Sequence, residues 1–297
     1  TLQVASGRAD EETVGGLEAL IAQGLVQEVS GDEEKLIYDF SHDKLRALVY
    51  DETSLARRRL LHRRVAEALA ARARGQTPPG PLVSQIALHY RLGGRNAEAA
   101  HHYKLAGDHA RALYANAEAL AHLRSALALG HPESSSLHEA IGDLQTLAGD
   151  YSAALASYEA AAATGAPDAL ARLEHKLANV YDRWGEWELA ESHFRAALDL
   201  TGLQRPVRSE GERARLYADW SRAAHHRGQT GRAAELALQS LELAKPANDA
   251  RGLAQAYNIL GLIASHEDNF AQARAYLEQS LALAEALNDP DARIARS

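Results

Sequence analysis

Fourteen histidines and a complete absence of cysteine bound the chemistry open to this 297-residue chain. Thiolate nucleophiles, disulfides and cysteine metal sites are excluded outright. The densest histidine groups are His101-His102 with His109, and the pair His225-His226. Adjacent residues on a helix point about 100° apart and an i, i+7 pair lies roughly two turns apart, so neither group makes a compact metal shell. Spacing groups no nucleophile with a base and an orienting acid, and no Gly-x-x-x-x-Gly-Lys-Ser/Thr phosphate loop is present. The chain therefore reads as non-catalytic, with no metal and no cofactor of its own.

Charge offers more. Arg57, Arg58, Arg59, Arg63, Arg64, Arg72 and Arg74 form one concentrated basic segment, with Leu60, Leu61, Val65, Ala68 and Leu69 expected on its buried face. Two readings stay open for those arginines: a dock for an acidic partner or a further domain, and a plain solvated helix face. The net charge of -8 argues against a nucleic-acid surface, which needs several cationic phosphate contacts. No run approaches the ~18 apolar residues of a membrane span. The sequence starts at Thr1 without Met and stops in what looks like another helix, 290–297, so it is expected to be a cytoplasmic fragment of a larger protein.

The elements that must position these side chains announce themselves by repetition. Gly149-Asp-Tyr151-x-x-Ala154-x-x-x-Tyr158-x-x-Ala161 is echoed by Gly185-Glu-Trp187-x-x-Ala190-x-x-x-Phe194-x-x-Ala197. Units around Thr230 and Phe270 continue it, placing the central alanine at 154, 190, 233 and 273, with periods of 36, 43 and 40. Such periods mean stacked helical hairpins. A small residue sits at each expected crossing in the preceding helix: Gly142, Ala178, Ser221 and Gly261. The pattern resembles the tetratricopeptide repeat, with periods above that family's usual length and hence longer helices. Two earlier units fit more loosely, and their alanines, Ala99 and Ala119, are only 20 apart, so one helix over 96–114 is expected to serve both.

Before the repeats the periodicity changes. A helix over Asp10–Ala22 closed by Gly24, short strands at 25–29 and 36–40 around a polar turn at 30–35, and a helix capped by Ser41 predict a winged-helix-like module. Its acidic helix start and acidic turn (Asp32, Glu33, Glu34) suit DNA poorly. The segment Phe40-Ser41-His42-Asp43-Lys44-Leu45-Arg46, with Tyr50 and the arginine-rich helix, resembles the winged-helix region of signal-transduction ATPases with numerous domains, including MalT-like, SARP–BTAD and LuxR-type transcriptional activators. In that class a Met-His-Asp histidine touches an ADP phosphate. The resemblance implies this role for His42 in a parent protein binding ADP or ATP, although Ser41 stands where Met is expected. The pyrrolidine-rich run Gly75-Gln-Thr-Pro78-Pro79-Gly80-Pro81 then breaks the chain.

The expected fold is mainly α: a winged-helix-like domain with a β-hairpin over 1–75, a linker over 76–81, and a tetratricopeptide-repeat α-solenoid superhelix over 82–297. In the family the first helix of each pair forms the inner wall. Its inward positions fall on Arg172, His175, Asn179, Asp182 and Arg183, then Arg215, Arg222, His225 and His226, then Gln255, Asn258 and His266. This polar groove is expected to hold a protein, a peptide or a small-molecule effector, or another part of the parent such as an upstream ATPase domain. His175 and Lys176 depart from the family's best-known peptide clamp, though Asn179 keeps it. The functional expectation is a regulatory sensor and protein-interaction region of a bacterial transcriptional activator. A scaffold without a nucleotide switch, or the regulatory tail of a cyclase or kinase, stand beside it.

Overall fold

Hairpins of helices need a residue that reverses the chain in the left-handed region, and the repeats supply one at each turn. Gly149, Gly185 and Gly228 have φ of 77°, 86° and 73°, while the fourth unit uses Asp268 at 58°, a conformation glycine adopts without a Cβ clash. The computed structural model describes residues 2–30, 36–74, 82–202 and 206–287. The chain divides into two compact units, Thr1–Leu137 and His138–Ser297.

The first unit begins with α1 (Leu2–Ser6) and α2 (Asp10–Ala22), which Gly24 closes at φ 67°. Strands β1 (Val26–Ser30) and β2 (Leu36–Phe40) pair antiparallel from Val26↔Phe40 to Ser30↔Leu36. The expected turn residues 31–35, with Asp32, Glu33 and Glu34, lie outside the described residues, as do 75–81 and 288–297. Helices α3 (Asp43–Glu52) and α4 (Leu55–Ala73) follow. The N-cap of α3 is His42 rather than Ser41, and it makes no side-chain capping bond. Asp43 in the first turn instead pairs with Arg46 at 3.0 Å.

Helix α4 keeps part of the expected buried face and corrects the rest. It buries Ala68 and Leu69 as expected, and Ala66 beside them, whereas Leu60 and Leu61 are exposed. Alanines let the neighbouring helices come close, and the face they occupy takes Arg64 inward, its Nη1 donating to the Ser6 carbonyl at 3.0 Å. Arg58 lies over the Tyr50 ring at 4.8 Å, so only part of the basic segment is a solvated face. Helix α5 (Leu82–Leu92) packs on α4, and α6 (Asn96–Ala112) packs on both α5 and α7 (Asn116–Ala128). One helix thus serves two pairs, with Ala99 and Ala119 fully buried.

The division between units falls inside α8 (Ser134–Leu147). The second unit continues with α9 (Tyr151–Thr164), α10 (Leu170–Trp184), α11 (Trp187–Gly202), α12 (Pro206–His226), α13 (Thr230–Ala247), α14 (Ala250–His266) and α15 (Phe270–Ala286). At 21 residues, α12 has the extra length that the long periods require. The central alanines 154, 190, 233 and 273 are all buried. At the crossings, a Cβ added to Gly142 would meet the Tyr158 ring at 2.7 Å, and one on Gly261 would meet Leu277 at 2.7 Å. Where the crossing residue is Ser221, its hydroxyl donates to the Ala233 carbonyl at 2.7 Å. Ser240 and Ser280 brace successive pairs in the same way, donating to the carbonyls of Ala214 and Ala254 at 2.7 Å. The core centres on Phe194, stacked on Trp220 with 5.7 Å between ring centroids.

Gly142→Ala is expected to destabilise the second unit by roughly 1–3 kcal/mol through overpacking. Gly15→Ala on α2 meets nothing within 4 Å and should stabilise by about 1 kcal/mol through helix propensity. Urea denaturation of the two variants checks the contrast, and equal shifts would contradict it.

A second expectation concerns His62 and His89, whose Nδ1 atoms lie 2.9 Å apart between α4 and α5. Burial lowers both pKa values, aided by Arg58 for His62 and by His62 for His89. Above the ordinary value of 6.5 both states are neutral. As pH falls below it the unfolded chain takes up protons first, so the stability this pair contributes is lost on acidification. Thermal unfolding of the first unit should therefore fall in Tm between about pH 7 and about pH 5, and a His62→Gln, His89→Gln variant should flatten that slope.

Candidate functional site

Helices α10, α12 and α14 each open a pair, and their successive polar positions recur at helical spacing, so they share one face. Hydrogen bonds across that face fix its register. Arg222 Nη2 donates to Asn179 Oδ1 at 3.0 Å across an offset of 43 residues, and Gln255 Nε2 donates to Asp219 Oδ1 at 2.5 Å across an offset of 36. Carried along the helices, these offsets align Asn179, Arg222 and Asn258 in one rung, and Lys176, Asp219 and Gln255 in another. A third rung is made of arginine alone: Arg172, Arg215 and Arg251. All nine side chains line a groove of about 980 Å³ in the second unit.

The Asp219 carboxylate is the centre of the floor. His175 Nε2 donates to its Oδ2 at 2.8 Å and Asn179 Nδ2 at 3.1 Å, while Arg222 lies 3.3 Å from Oδ1. Burial alone would raise its pKa. The His175 hydrogen bond and the Arg222 charge outweigh that and hold the carboxyl well below its usual range.

Beside it runs a second ionic cluster based on α8. Lys176 Nζ donates to Glu139 at 2.9 Å and to Asp143 at 2.5 Å, and Arg172 grips Glu139 through two bonds of 2.9 and 3.0 Å. Burial works against the Glu139 charge, but these two cations win and keep its pKa low. The Tyr158 hydroxyl donates to Asp143 at 2.8 Å, and burial followed by the Asp143 charge pushes that phenol well above its ordinary range. Arg215 Nε donates to Asp249 at 2.8 Å. Arg183 and Arg251 are exposed and have no ion pair among the described residues.

Of the residues expected on the inner wall, Arg172, His175, Asn179, Arg183, Arg215, Arg222, Gln255 and Asn258 line the groove. Asp182, His225, His226 and His266 do not; they gather near the C-terminal ends of α10, α12 and α14. Asp182 is buried, its Oδ1 has no hydrogen-bond partner, and its Oδ2 lies 3.8 Å from His226 Nδ1. Burial raises its pKa, opposed by Arg222 and His226. His225 stacks on His266 at 5.4 Å, and burial then His266 lower its pKa. Among the described residues no group of three His, Asp or Glu could hold a metal ion, and no helix is long and apolar enough to cross a membrane. His42 stands exposed at the mouth of α3 in the other unit.

Sequence reasoning missed Asp219, Asp143 and Arg251. Asp219 sits four residues after Arg215 and three before Arg222, in phase with both, which was the available signal. Apolar residues complete the lining: Leu147 from α8, Ile259 and Leu262 from α14, and Leu277 and Leu281 from α15.

No protein-family model matches the chain, and no curated protein does. Solved structures are similar to it. BtubC (BKLC) from P. vanneervenii is 18% identical, with 80% of this chain and 93% of that chain covered and a TM-score of 0.52. The APC/C hetero-tetramer Cut9–Hcn1 is 17% identical, with 84% and 50% covered and a TM-score of 0.50. A signal transduction ATPase with numerous domains (STAND) protein with a tetratricopeptide repeat sensor, from Pyrococcus horikoshii, is 15% identical, with 98% and 42% covered and a TM-score of 0.49. At such identities the likeness speaks to the fold alone. The fold is a tetratricopeptide-like helical repeat, mainly α, with one two-stranded hairpin among the described residues.

Asp219→Ala would leave donors from three helices without their shared acceptor. We expect a loss of roughly 3–5 kcal/mol of stability, as for a buried ion pair broken on one side, measurable by urea denaturation. Because the folded pKa is depressed, the stability this carboxyl contributes is present above its unfolded value of 3.8 and is lost as pH falls through and below it. Acid unfolding of Asp219→Asn should be correspondingly shallower.

Proposed function

We propose that the second unit is a protein-interaction module whose groove receives an acidic segment of a partner protein. One observation carries this reading: six Arg and Lys side chains line the groove, and two of them, Arg183 and Arg251, are exposed with no ion pair among the described residues. On a chain whose net charge is -8 these exposed cations give an anionic group a local place to bind. The carboxamides of Asn179, Gln255 and Asn258 add donors that suit a peptide backbone, and the leucines give the groove apolar wall. A carboxylate-bearing small effector would meet the same cations.

In the finer form of this proposal the chain is the sensor region of a bacterial cytoplasmic regulator of the STAND class, a MalT-like, SARP–BTAD or LuxR-type transcriptional activator. Residues 1–75 would be its winged-helix-like domain, 76–81 a linker and 82–297 the superhelix. The helix, hairpin and helix order of 10–52 supports the winged-helix reading, and His42-Asp43 at the start of α3 supports a phosphate contact by His42. The chain's own residues do not make up a nucleotide cradle, because no Gly-x-x-x-x-Gly-Lys-Ser/Thr loop occurs. ADP or ATP would therefore be held by an ATPase domain elsewhere in the parent. A scaffold without any nucleotide switch, or a cyclase or kinase tail, would use the groove in the same manner.

Fluorescence anisotropy with acidic and basic peptides of equal length tests the core of the reading. The acidic peptide should bind, weaken as salt is raised, and bind less well to Arg183→Glu. Equal binding of both peptides, or of neither, would remove the basis for an acid-selective groove.

A further inference from the structure

Helices α3 and α4 meet at a corner whose charges oppose both helix dipoles. Asp51 and Glu52 close α3, at the end where cations are favoured, and Arg57, Arg58 and Arg59 open α4, whose first turn holds no acid. Ser54-Leu55-Ala56 is followed by Arg57 at the position where a capping box takes Glu. Although acids and arginines are a few residues apart, none of these five side chains forms an ion pair among the described residues. Such placements cost both helices stability and are retained where another interaction offsets them.

The corner is itself well fixed. Thr53 Oγ1 donates to the Val49 carbonyl at 2.7 Å, Ser54 Oγ accepts from the Arg57 N–H at 3.4 Å, and the Tyr50 hydroxyl meets His62 Nε2 at 3.2 Å. Arg58 is committed to the Tyr50 ring, which leaves Arg57 and Arg59 exposed. Around these charges the surface is apolar. Leu48, Val49 and Leu55 are each more than half exposed, and Tyr50, Leu60 and Leu61 are 43%, 43% and 37% exposed. Helix α3 buries no residue at all. Single exposed leucines are ordinary, but this many in one short stretch of chain mark an interaction surface. Helical spacing sets a charge beside an apolar neighbour on the same face, as i, i+4 pairs: Glu52 with Leu48, Arg59 with Leu55, and Arg57 with Leu61.

A surface with an acidic end, a basic end and apolar side chains between them is complementary to itself after a half turn. In a twofold contact, residue i of one copy meets residue j of the other, and j meets i. We propose that the α3–α4 corner is a self-association surface, covered by the same corner of a second copy of this chain. Asp51 and Glu52 of each copy face Arg57 and Arg59 of the other, and the leucines pack between the two ionic clusters. One contact thus offsets the unfavourable charge at both helix ends. It lies in the first unit and is independent of the groove. Stable twofold interfaces remove roughly 800 Å² from each partner, and one corner is a small surface, so the dimer is expected to be reversible and concentration-dependent.

Sedimentation of the full chain at rising concentration should show a monomer–dimer equilibrium that weakens as salt is raised. Arg57→Glu with Arg59→Glu should weaken it more than tenfold, and so should Asp51→Lys with Glu52→Lys, because like charges then meet across the axis. Mixed in equal amounts, the two double variants should regain a heterodimer of wild-type affinity, and all four changes in one chain should restore the homodimer. Both double variants put charges where their own helix dipoles favour them, so at monomeric dilution neither should unfold at a lower temperature than the wild type. A lower Tm at dilution would show that the charges serve the fold, and would overturn the proposal. So would a wild-type chain that stays monomeric at every concentration, which would leave the corner to a different protein, or a mixture of the two variants that does not associate. Growth beyond a dimer would overturn the twofold contact.

Discussion

Close approach of paired helices at small residues is the constraint on which the second unit depends. Gly142 and Gly261 admit the Tyr158 ring and the Leu277 side chain into space that a methyl group would fill. Ala178, fully buried, holds the equivalent place, and Ser221 adds a hydrogen bond to the partner backbone. With the pairs drawn together, the aromatic and leucine side chains of one pair reach the next, as Phe194 reaches Trp220. In a repeat array stability is a sum of such unit and neighbour terms, so each crossing supports both its own pair and the next.

The same packing leaves α10, α12 and α14 with one face not used for the core, and there ionic groups replace apolar ones. Burying a carboxylate is costly unless donors surround it. Asp219 meets that requirement with side chains from all three helices, which makes the charge a cross-brace between repeats as well as a feature of the groove. Glu139 and Asp249 act similarly from the side, each fastening an arginine whose outer part stays exposed. The groove therefore presents cations that have been positioned by anions, and braces such as His175–Asp219, Gln255–Asp219 and Arg172–Glu139 stiffen it by joining two helices.

Much of this was legible in the chain. The recurrence of alanine at 154, 190, 233 and 273 gives the helical pairs directly, because helical period and burial leave few other ways to read it. Single-residue features were harder. The N-cap shifted from Ser41 to His42, since extended backbone at His42 follows the strand pairing through Ser41, whose N–H donates to the Leu25 carbonyl at 3.0 Å. On α4 the pattern gives the buried Ala68 and Leu69 but not the exposure of Leu60 and Leu61, because the close approach of its neighbours selects small residues such as Ala66. Asp219 was missed because a lone acid between arginines looks like local charge balance; only the folded register shows that its donors come from 36 and 44 residues away.

That register also explains why two acids on adjacent helices behave in opposite ways. Asp219 collects His175, Asn179, Gln255 and Arg222 and stays ionised far into acid. Asp182, one turn beyond Asn179, is more deeply buried yet finds Arg222 only at 4.0 Å, because that guanidinium already bonds Asn179 and Asp219. Its Oδ1 is left without a donor, and burial pushes its carboxyl upward. Arg222 is thus the shared resource, and its commitment to the groove floor is made at the expense of the helix ends. The floor carries a fixed negative charge that its donors compensate, while among the groove-wall charges with no ion pair among the described residues, Arg183 and Arg251 outnumber Glu212. The sign of the groove follows from which acids the arginines are already bound to, and a count of charges along the sequence does not contain that information.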